Sequence, residues 1–109
     1  MFVTKDGYLN TVFRIPGLKG ETCVQAREKM PKPVVIYQHG LTDCCASILC
    51  DEHNSLGLRL VRAGYDLWLA NSRGNRYSRD HQWIDVDYAK IEDRKAYWAF
   101  SFQQMAEFD

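Results

Sequence analysis

The chain has 109 residues, with 14 basic and 14 acidic side chains and therefore a formal net charge of zero. This balance argues against a nucleic-acid partner, which usually requires a basic excess. The sequence contains no run of about 18 apolar residues, so no transmembrane helix is predicted. Hydrophobic residues make up 46% and aromatic residues 13% of the chain, a composition that indicates one small packed domain rather than a disordered tail.

The first predicted element is a β-hairpin around a tight turn at Asp6-Gly7. Strand-forming residues follow from Tyr8 to Ile15, which predicts a single arm of this hairpin. Pro16 to Gly20 predicts a loop, and the polar segment from Glu21 to Pro33 predicts a connection on the surface.

Two apolar runs then predict neighbouring buried strands, Val34 to Gln38 and Tyr65 to Ala70. A loop from Leu41 to Asp51 and a helix separate them. This strand–helix–strand order predicts a right-handed crossover and a parallel sheet.

The helix between the two strands is predicted to begin at a cap formed by Asn54 or Ser55 and to end before Gly64, because glycine commonly follows a helix end. Arg59 and Arg62 are expected to face the solvent. Three residues form the predicted apolar stripe of this helix: Leu56, Leu60 and Val61.

After Asn71 the chain is predicted to be irregular and polar as far as about Lys95. Ser101 and Gln104 have the spacing of a capping box, which predicts a short helix at this point. Trp98 is expected to pack just before this helix, and its buried side is predicted to consist of Phe102, Met105 and Ala106.

The strand from Val34 ends in His39-Gly40-Leu41, which is the most informative motif of the chain. A glycine directly after a buried strand lets the backbone turn sharply and approach a ligand closely. In serine hydrolases of the α/β type, the loop after such a strand donates a backbone N–H to the oxyanion hole. The motif therefore predicts acyl-transfer machinery in which Leu41 supplies that N–H, although the chain contains no Gly-x-Ser-x-Gly nucleophile turn.

Several blocks of residues, taken together, resemble the acid lipase family, the group that includes the gastric and lysosomal acid lipases. The resemblance covers most of the chain, is weak from Gly17 to Lys32, and is most specific in the Asn-Ser-Arg-Gly-Asn block at Asn71. The matching blocks are Thr4 to Leu9, Arg14 to Pro16, Gln38 to Asp43, Ala63 to His81, Tyr97 to Phe102, and Met105 with Ala106.

This resemblance implies an α/β fold, namely the N-terminal part of an α/β-hydrolase with an antiparallel hairpin, parallel strands, a crossover helix and an incomplete sheet. It also implies hydrolysis of neutral lipid esters, such as triglycerides or sterol esters, by a Ser-Asp-His triad without metal or organic cofactor. The family's nucleophile turn and the rest of its triad fall beyond Asp109, so residues 1–109 are expected to form a partial lipase domain. The chain departs from the family pattern at Cys44, Cys45 and Ile48, where relatives have small polar residues and a Trp.

The isolated chain is accordingly expected to hydrolyse nothing, and the alternative is a non-catalytic truncated product or an interaction module. The resemblance implies a lysosomal or secreted protein, although Met1 to Asp6 shows no secretory signal. Cutting the sheet at Asp109 would leave Val34 to Gln38 as a bare apolar edge. Such edges recruit other chains, which predicts self-association, poor solubility or partial folding.

Three other residues could imitate catalytic groups. His39 lies beside the oxyanion loop but is structural in the resembling family. Ser72 lies in a segment close to Gly-x-Ser-x-Gly, yet no helical pattern follows it, so a polar loop is expected. Asp80-His81 is expected to be a solvated loop, since adjacent residues rarely orient one another.

The remaining candidates have structural explanations. We expect the arginine row to pair with carboxylates or with the end of the sheet, and the tryptophans Trp68, Trp83 and Trp98 to pack in the core. A zinc site could recruit Cys44, Cys50 and His53 but lacks a second paired ligand unit. The arginine row comprises Arg73, Arg76 and Arg79, and the four cysteines, Cys23, Cys44, Cys45 and Cys50, show no disulfide pattern.

Overall fold

The computed structural model describes residues 1–20 and 31–109 and separates into two compact units. The terminal unit combines residues 1–12 with residues 71–109, and the central unit comprises Phe13–Ala70. Most of the connection predicted from Glu21 to Pro33 lies outside the described residues. The strands and α-helices are β1 (Phe2–Val3), β2 (Tyr8–Asn10), β3 (Phe13–Ile15), β4 (Val34–Gln38), α1 (Leu56–Arg62), β5 (Asp66–Ala70), β6 (Asp80–His81), α2 (Ile91–Tyr97) and α3 (Phe102–Phe108). Two short 3-10 helices, Cys45–Leu49 and Glu52–Asn54, lie between β4 and α1.

The central unit contains the predicted parallel pair of strands. β4 runs parallel to β5, from Val34 opposite Asp66 to Gln38 opposite Ala70. β3 pairs antiparallel with the other side of β5, so the sheet order is β3-β5-β4. This mixed open sheet with its crossover helix is an incomplete α/β fold, as expected from the sequence.

Burial differs between the two predicted strands. Leu67 and Leu69 of β5 are buried, as predicted, but Val34 and Ile36 of β4 are 59% and 71% exposed. The prediction that β4 is buried is therefore wrong in this chain. The reason is that β4 is an edge strand of the described sheet. Helix α1 packs against β5, where Gly57 lies against the Leu67 side chain.

Helix α1 shows how the sequence sets its own limits. The Ser55 hydroxyl oxygen accepts a 3.3 Å hydrogen bond from the Leu58 N–H, which confirms Ser55 as the cap. Gly64 follows the helix with φ of +94°, a conformation that favours glycine. Arg59 and Arg62 are exposed, as predicted.

The predicted apolar stripe of α1 is only partly right. Val61 is buried and Leu60 half-buried, but Leu56 is 60% exposed. Gly57 faces the core in its place, because a Cβ at this position would lie 2.6 Å from the Leu49 side chain. The helix approaches its neighbours through a residue without a side chain, which hydrophobic periodicity does not reveal.

The terminal unit opens with the predicted hairpin. β1 and β2 pair antiparallel, with Val3 opposite Leu9, and Gly7 occupies the turn with φ of +96°. β6 extends this sheet by pairing with β2.

The single arm predicted from Tyr8 to Ile15 is wrong, because it divides into β2 and β3, which belong to different sheets. The Thr11 N–H between them donates to the Ser78 hydroxyl at 2.9 Å, so the backbone leaves the strand ladder at this point.

The second half of the terminal unit is more regular than predicted. Strand β6 lies within the segment that was expected to be irregular, and helix α2 runs across the end of that segment. Within α2, only Tyr97 is buried. Because the rest of α2 is polar or exposed, this helix has no apolar period to reveal it. None of the helices in the described part of the chain is long and apolar enough to cross a membrane.

Helix α3 is confirmed with its capping box, since the Ser101 hydroxyl oxygen accepts from the Gln103 N–H and the Gln104 side chain accepts from the Ser101 N–H. Its predicted buried side is wrong: Phe102 is 80% exposed, Ala106 is exposed and Met105 is half-buried. The helix contacts the unit through its C-terminal end, where the Phe108 ring lies near the guanidinium group of Arg73.

Candidate functional site

The loop after β4 forms a tight turn at the predicted oxyanion motif. The Asp43 N–H donates to the Gly40 carbonyl at 3.2 Å, which makes Leu41 and Thr42 the two middle residues of the turn. The N–H of the second residue of such a turn has no partner within it. Leu41 is 72% exposed, and no hydrogen bond among the described residues uses its N–H. The turn therefore offers this donor to an acceptor outside the sheet.

Thr42, the next residue, has a strained backbone. Its φ is +67°, in the left-handed region that β-branched residues rarely enter. That conformation costs roughly 1–2 kcal/mol for a residue with a Cβ. Turns with a hydrogen bond across them and a positive φ at the third residue usually place Gly or Asn there, so the neighbours of Thr42 must hold it in place.

Asp43 and Ser47 hold the far side of this turn. The Asp43 carboxylate accepts a 2.7 Å hydrogen bond from the Cys44 N–H, and this bond, with a second from the Ser47 hydroxyl, holds the pKa of Asp43 below its usual value. The Ser47 hydroxyl oxygen also lies 3.1 Å from the Cys44 carbonyl and 2.7 Å from the Tyr37 hydroxyl. Because Ser47 has one hydroxyl proton and the Cys44 carbonyl can only accept it, Tyr37 must donate to Ser47.

His39 supports the near side of the turn. It is buried, and its Nδ1 lies 2.7 Å from the Gly40 carbonyl. A carbonyl only accepts, so this contact places the proton on Nδ1. The ring therefore binds the backbone of the loop, in keeping with the structural role expected for His39.

Ser72 lies in the polar loop that the sequence predicts. Its carbonyl accepts from the Asn75 N–H at 3.4 Å, and the Gly74 N–H donates to the Ser78 carbonyl at 2.7 Å, so the chain turns back on itself. No helix follows directly among the described residues, and the Ser72 side chain is buried in the terminal unit. A nucleophile turn requires a strand followed at once by a helix, and Ser72 lacks that geometry.

Arg73 is the buried polar centre of the terminal unit and confirms the predicted pairing with carboxylates. Its fully buried side chain binds Asp6 at 2.5 Å and Asp109 at 2.7 Å, and its guanidinium group lies 4.1 Å from the centre of the Tyr8 ring. Burial alone would raise the pKa of Asp6, but hydrogen bonds from Arg73 and Thr4 bring it below its usual value. Burial would likewise lower the pKa of Arg73, and the two carboxylates raise it instead.

The other basic and acidic candidates have local partners. Arg79 pairs with Asp87 at 2.5 Å, as predicted, whereas the Arg76 guanidinium group lies over the ring of Tyr77. His81 belongs to β6, where its Nε2 lies 3.2 Å from the Asp6 carbonyl. The expected solvated loop at Asp80-His81 is thus a short strand, and His81 binds backbone there instead of Asp80.

The core packing predicted for the three tryptophans is only partly right. Trp98 is half-exposed and packs on Gly74 and against Phe100. Trp68 is half-buried under Arg14, but Trp83 is largely exposed.

Within residues 1–20 and 31–109, no three potential ligands come together as a metal site, so the zinc alternative is not supported. No disulfide joins Cys44, Cys45 or Cys50 to another described residue, and Cys23 lies outside the described residues.

Sequence reasoning missed the two features that shape the loop. The positive φ of Thr42 has no signal in a Leu-Thr-Asp sequence, since neither Gly nor Asn marks the position. The Tyr37–Ser47 bond joins residues ten positions apart on different elements, and no periodicity predicts it.

Comparison with known proteins adds a likeness along nearly the whole chain. Residues 1–52 match the family pattern described as a partial alpha/beta-hydrolase lipase region. The chain is 42% identical to lipase member M from Homo sapiens, over 97% of this chain and 23% of that protein. It is 41% identical to gastric triacylglycerol lipase from Bos taurus, over 98% of this chain and 25% of that protein. It is 44% identical to lysosomal acid lipase/cholesteryl ester hydrolase from Rattus norvegicus, over 97% of this chain and 25% of that protein. The chain therefore spans about a quarter of the length of these relatives.

Proposed function

Because this chain belongs to the acid lipase family of α/β-hydrolases, we propose that it carries the oxyanion loop of a hydrolase acting on neutral lipid esters, either triglycerides or sterol esters. The observation that supports this role is the exposed turn after β4 with its available Leu41 N–H. The names of two relatives, a triacylglycerol lipase and a cholesteryl ester hydrolase, support the two substrate classes.

In this mechanism a serine of the complete enzyme attacks the acyl carbon, and a histidine acts first as base and then as acid. The Leu41 N–H donates to the oxygen on which negative charge develops. One such donor contributes about 3 kcal/mol of transition-state stabilisation. The reaction needs no metal or organic cofactor, because the serine and histidine supply the nucleophile and the proton transfers.

The resemblance to gastric and lysosomal enzymes supports a lysosomal or secreted location for the protein. The isolated chain is expected to be inactive, since it has no Gly-x-Ser-x-Gly turn and Ser72 lies in a polar loop.

A chimera tests the proposed function. This chain replaces the matching quarter of gastric triacylglycerol lipase from Bos taurus, and hydrolysis of a neutral triglyceride emulsion is measured. We expect the chimera to hydrolyse the ester and the variant Leu41→Pro, which lacks the N–H, to lose most of its kcat. A folded chimera without activity, or a Leu41→Pro variant with full activity, contradicts the proposal.

A second candidate function, that of a non-catalytic product or interaction module, is favoured by the exposed edge strand. Val34 and Ile36 face outward on β4, and its outer edge pairs with no strand among the described residues. An apolar edge of this kind can pair with a second copy of the chain. Self-association of the isolated chain is therefore the property that this alternative predicts.

A further inference from the structure

We propose that Ser47 is a positioning residue, which holds Thr42 in the left-handed conformation and thereby keeps the Leu41 turn in one orientation. This inference rests on the proposed function of Leu41, because it concerns the geometry in which its N–H is presented. Ser47 itself touches no substrate in this mechanism.

The strain at Thr42 is the first observation that supports it. Among the described residues other than glycine, only Thr42 and Glu52 have a positive φ. A β-branched residue prefers negative φ, so Thr42 would leave this conformation if nothing held it. Strained backbone persists only where the surroundings fix it, and such positions cluster at functional sites.

The second observation is that the surroundings of Thr42 do fix it. On one side, the Asp43 N–H closes the turn onto the Gly40 carbonyl. On the other side, Ser47 joins the loop to β4, since its hydroxyl bonds both the Cys44 carbonyl and the Tyr37 hydroxyl. Tyr37 belongs to a paired strand, so the loop is tied to the most regular part of the central unit.

The conformation at Thr42 has a direct consequence for the Leu41 donor. Turns with negative and with positive φ at the third residue differ by about a half-turn rotation of the central peptide. That peptide joins Leu41 to Thr42 and lies next to the Leu41 N–H. The direction of its dipole therefore changes the electrostatic potential at an anion bound to this N–H. A turn held in one form presents a constant field to the developing charge, as preorganised catalysis requires.

The test uses a pair of substitutions in the chimera. Ser47→Ala releases the turn, and the preference of Thr42 for negative φ should then lower kcat about tenfold with little change in KM. Thr42→Gly removes that preference, because glycine enters both regions with similar ease. The double variant Thr42→Gly with Ser47→Ala should therefore recover most of the lost kcat, which a merely structural role for Ser47 would not allow. Ser101→Ala, at the exposed cap of α3, is the matched control and should leave kcat unchanged.

The isolated chain gives a spectroscopic test of the same idea. A residue with positive φ shows a strong nuclear Overhauser effect between its own N–H and Hα, because those protons lie close together. We expect this signal at Thr42 in the parent and its loss in Ser47→Ala, measured with Ile36→Lys present where association must be prevented.

The outcomes separate this inference from the function on which it rests. If Leu41→Pro leaves kcat unchanged, the proposed function fails. If Leu41→Pro lowers kcat but Ser47→Ala does not, or if the double variant is as impaired as Ser47→Ala, only the role of Ser47 is overturned. A Thr42 signal that persists in Ser47→Ala overturns it as well.

Discussion

Arg73 illustrates how a single residue organises the terminal unit. Its buried guanidinium group satisfies two carboxylates from distant parts of the sequence, Asp6 and Asp109, and stacks near the Tyr8 ring. Five donors in a fixed plane allow arginine to do this, whereas lysine has one point charge. The sequence predicted carboxylate partners for Arg73, but it could not identify them, because they depend on the fold.

Replacing Arg73 should therefore destabilise the terminal unit strongly. Arg73→Met leaves two carboxylates close together without a counter-charge, which costs about 3 kcal/mol or more. Urea unfolding followed by tryptophan fluorescence measures the loss. Arg76→Met, at an exposed position over Tyr77, is the control and should shift the midpoint little. Equal midpoints for the two variants would contradict the role of Arg73.

Asp6 gives the same contact a dependence on pH. Its folded pKa lies below the ordinary value of 3.8, so the charged carboxylate favours the folded state. The stabilisation is complete above pH 3.8 and is lost as the pH falls through the lower folded value. We expect Asp6→Asn to be less stable than the parent at pH 6 and the difference to shrink below pH 3.8, as measured by urea midpoints. A difference that stays constant down to the acid limit would refute this.

Gly74 tests close packing at the residue scale. Its φ is +78°, and a Cβ there would lie 2.6 Å from the Trp98 ring, whereas Gly20, with φ of +97°, has open space around it. Both Gly→Ala changes incur the left-handed penalty, but only Gly74→Ala adds a clash. Gly74→Ala should cost about 1–3 kcal/mol more than Gly20→Ala, by thermal unfolding. Similar losses at both sites would show that Trp98 moves freely.

The elements of the central unit were the most predictable part of the chain. Strand β4 has its predicted bounds, β5 begins one residue later, and their parallel pairing follows from the helix between them. Local chemistry also marked the Ser55 cap and the capping box of α3. These signals lie within a few residues of sequence, which is why they could be read.

Elements whose position depends on tertiary contacts were not predictable. Helix α2 buries only Tyr97, so its sequence carries no hydrophobic period. Helix α3 has apolar residues that suggest a buried face, yet the unit contacts its C-terminal end and leaves Phe102 exposed. Period and composition describe a helix, but they do not say which neighbour covers it.

The edge strand β4 supports a prediction about association. The isolated chain should self-associate, because Val34 and Ile36 are exposed on an edge that other strands can extend. Ile36→Lys places a charge there and should shift the chain toward monomer in light scattering after size-exclusion chromatography. Leu56→Lys, at an exposed helix position, is the control and should not change association. A parent chain that stays monomeric across concentrations would contradict the prediction.

At the scale of the whole molecule, the motif Gly40-Leu41 could be identified in the sequence. The turn conformation that leaves the Leu41 N–H available to an acceptor could not. The backbone angle of Thr42 and the bond between Tyr37 and Ser47 arise from loop closure and from residues on separate elements. The candidate site could therefore be located from sequence, whereas its rigidity could be argued only from the structure.

The isolated chain should not turn over esters. Without a nucleophile turn, hydrolysis of a short-chain nitrophenyl ester should equal the buffer rate, and Ser72→Ala should change nothing. Turnover that disappears in Ser72→Ala would reverse the assignment of Ser72 to a polar loop.

The most direct test of the central claim compares Leu41→Pro with Leu41→Ala in the chimera. Proline suits the second position of this turn and removes both the N–H and the leucine side chain, while alanine removes the side chain and keeps the N–H, so the difference between the two variants reports the N–H. We predict that kcat of Leu41→Pro is lower than that of Leu41→Ala by about 10²–10³-fold, the usual loss for one oxyanion donor. Equal kcat values for the two variants would show that the Leu41 N–H does not stabilise the transition state.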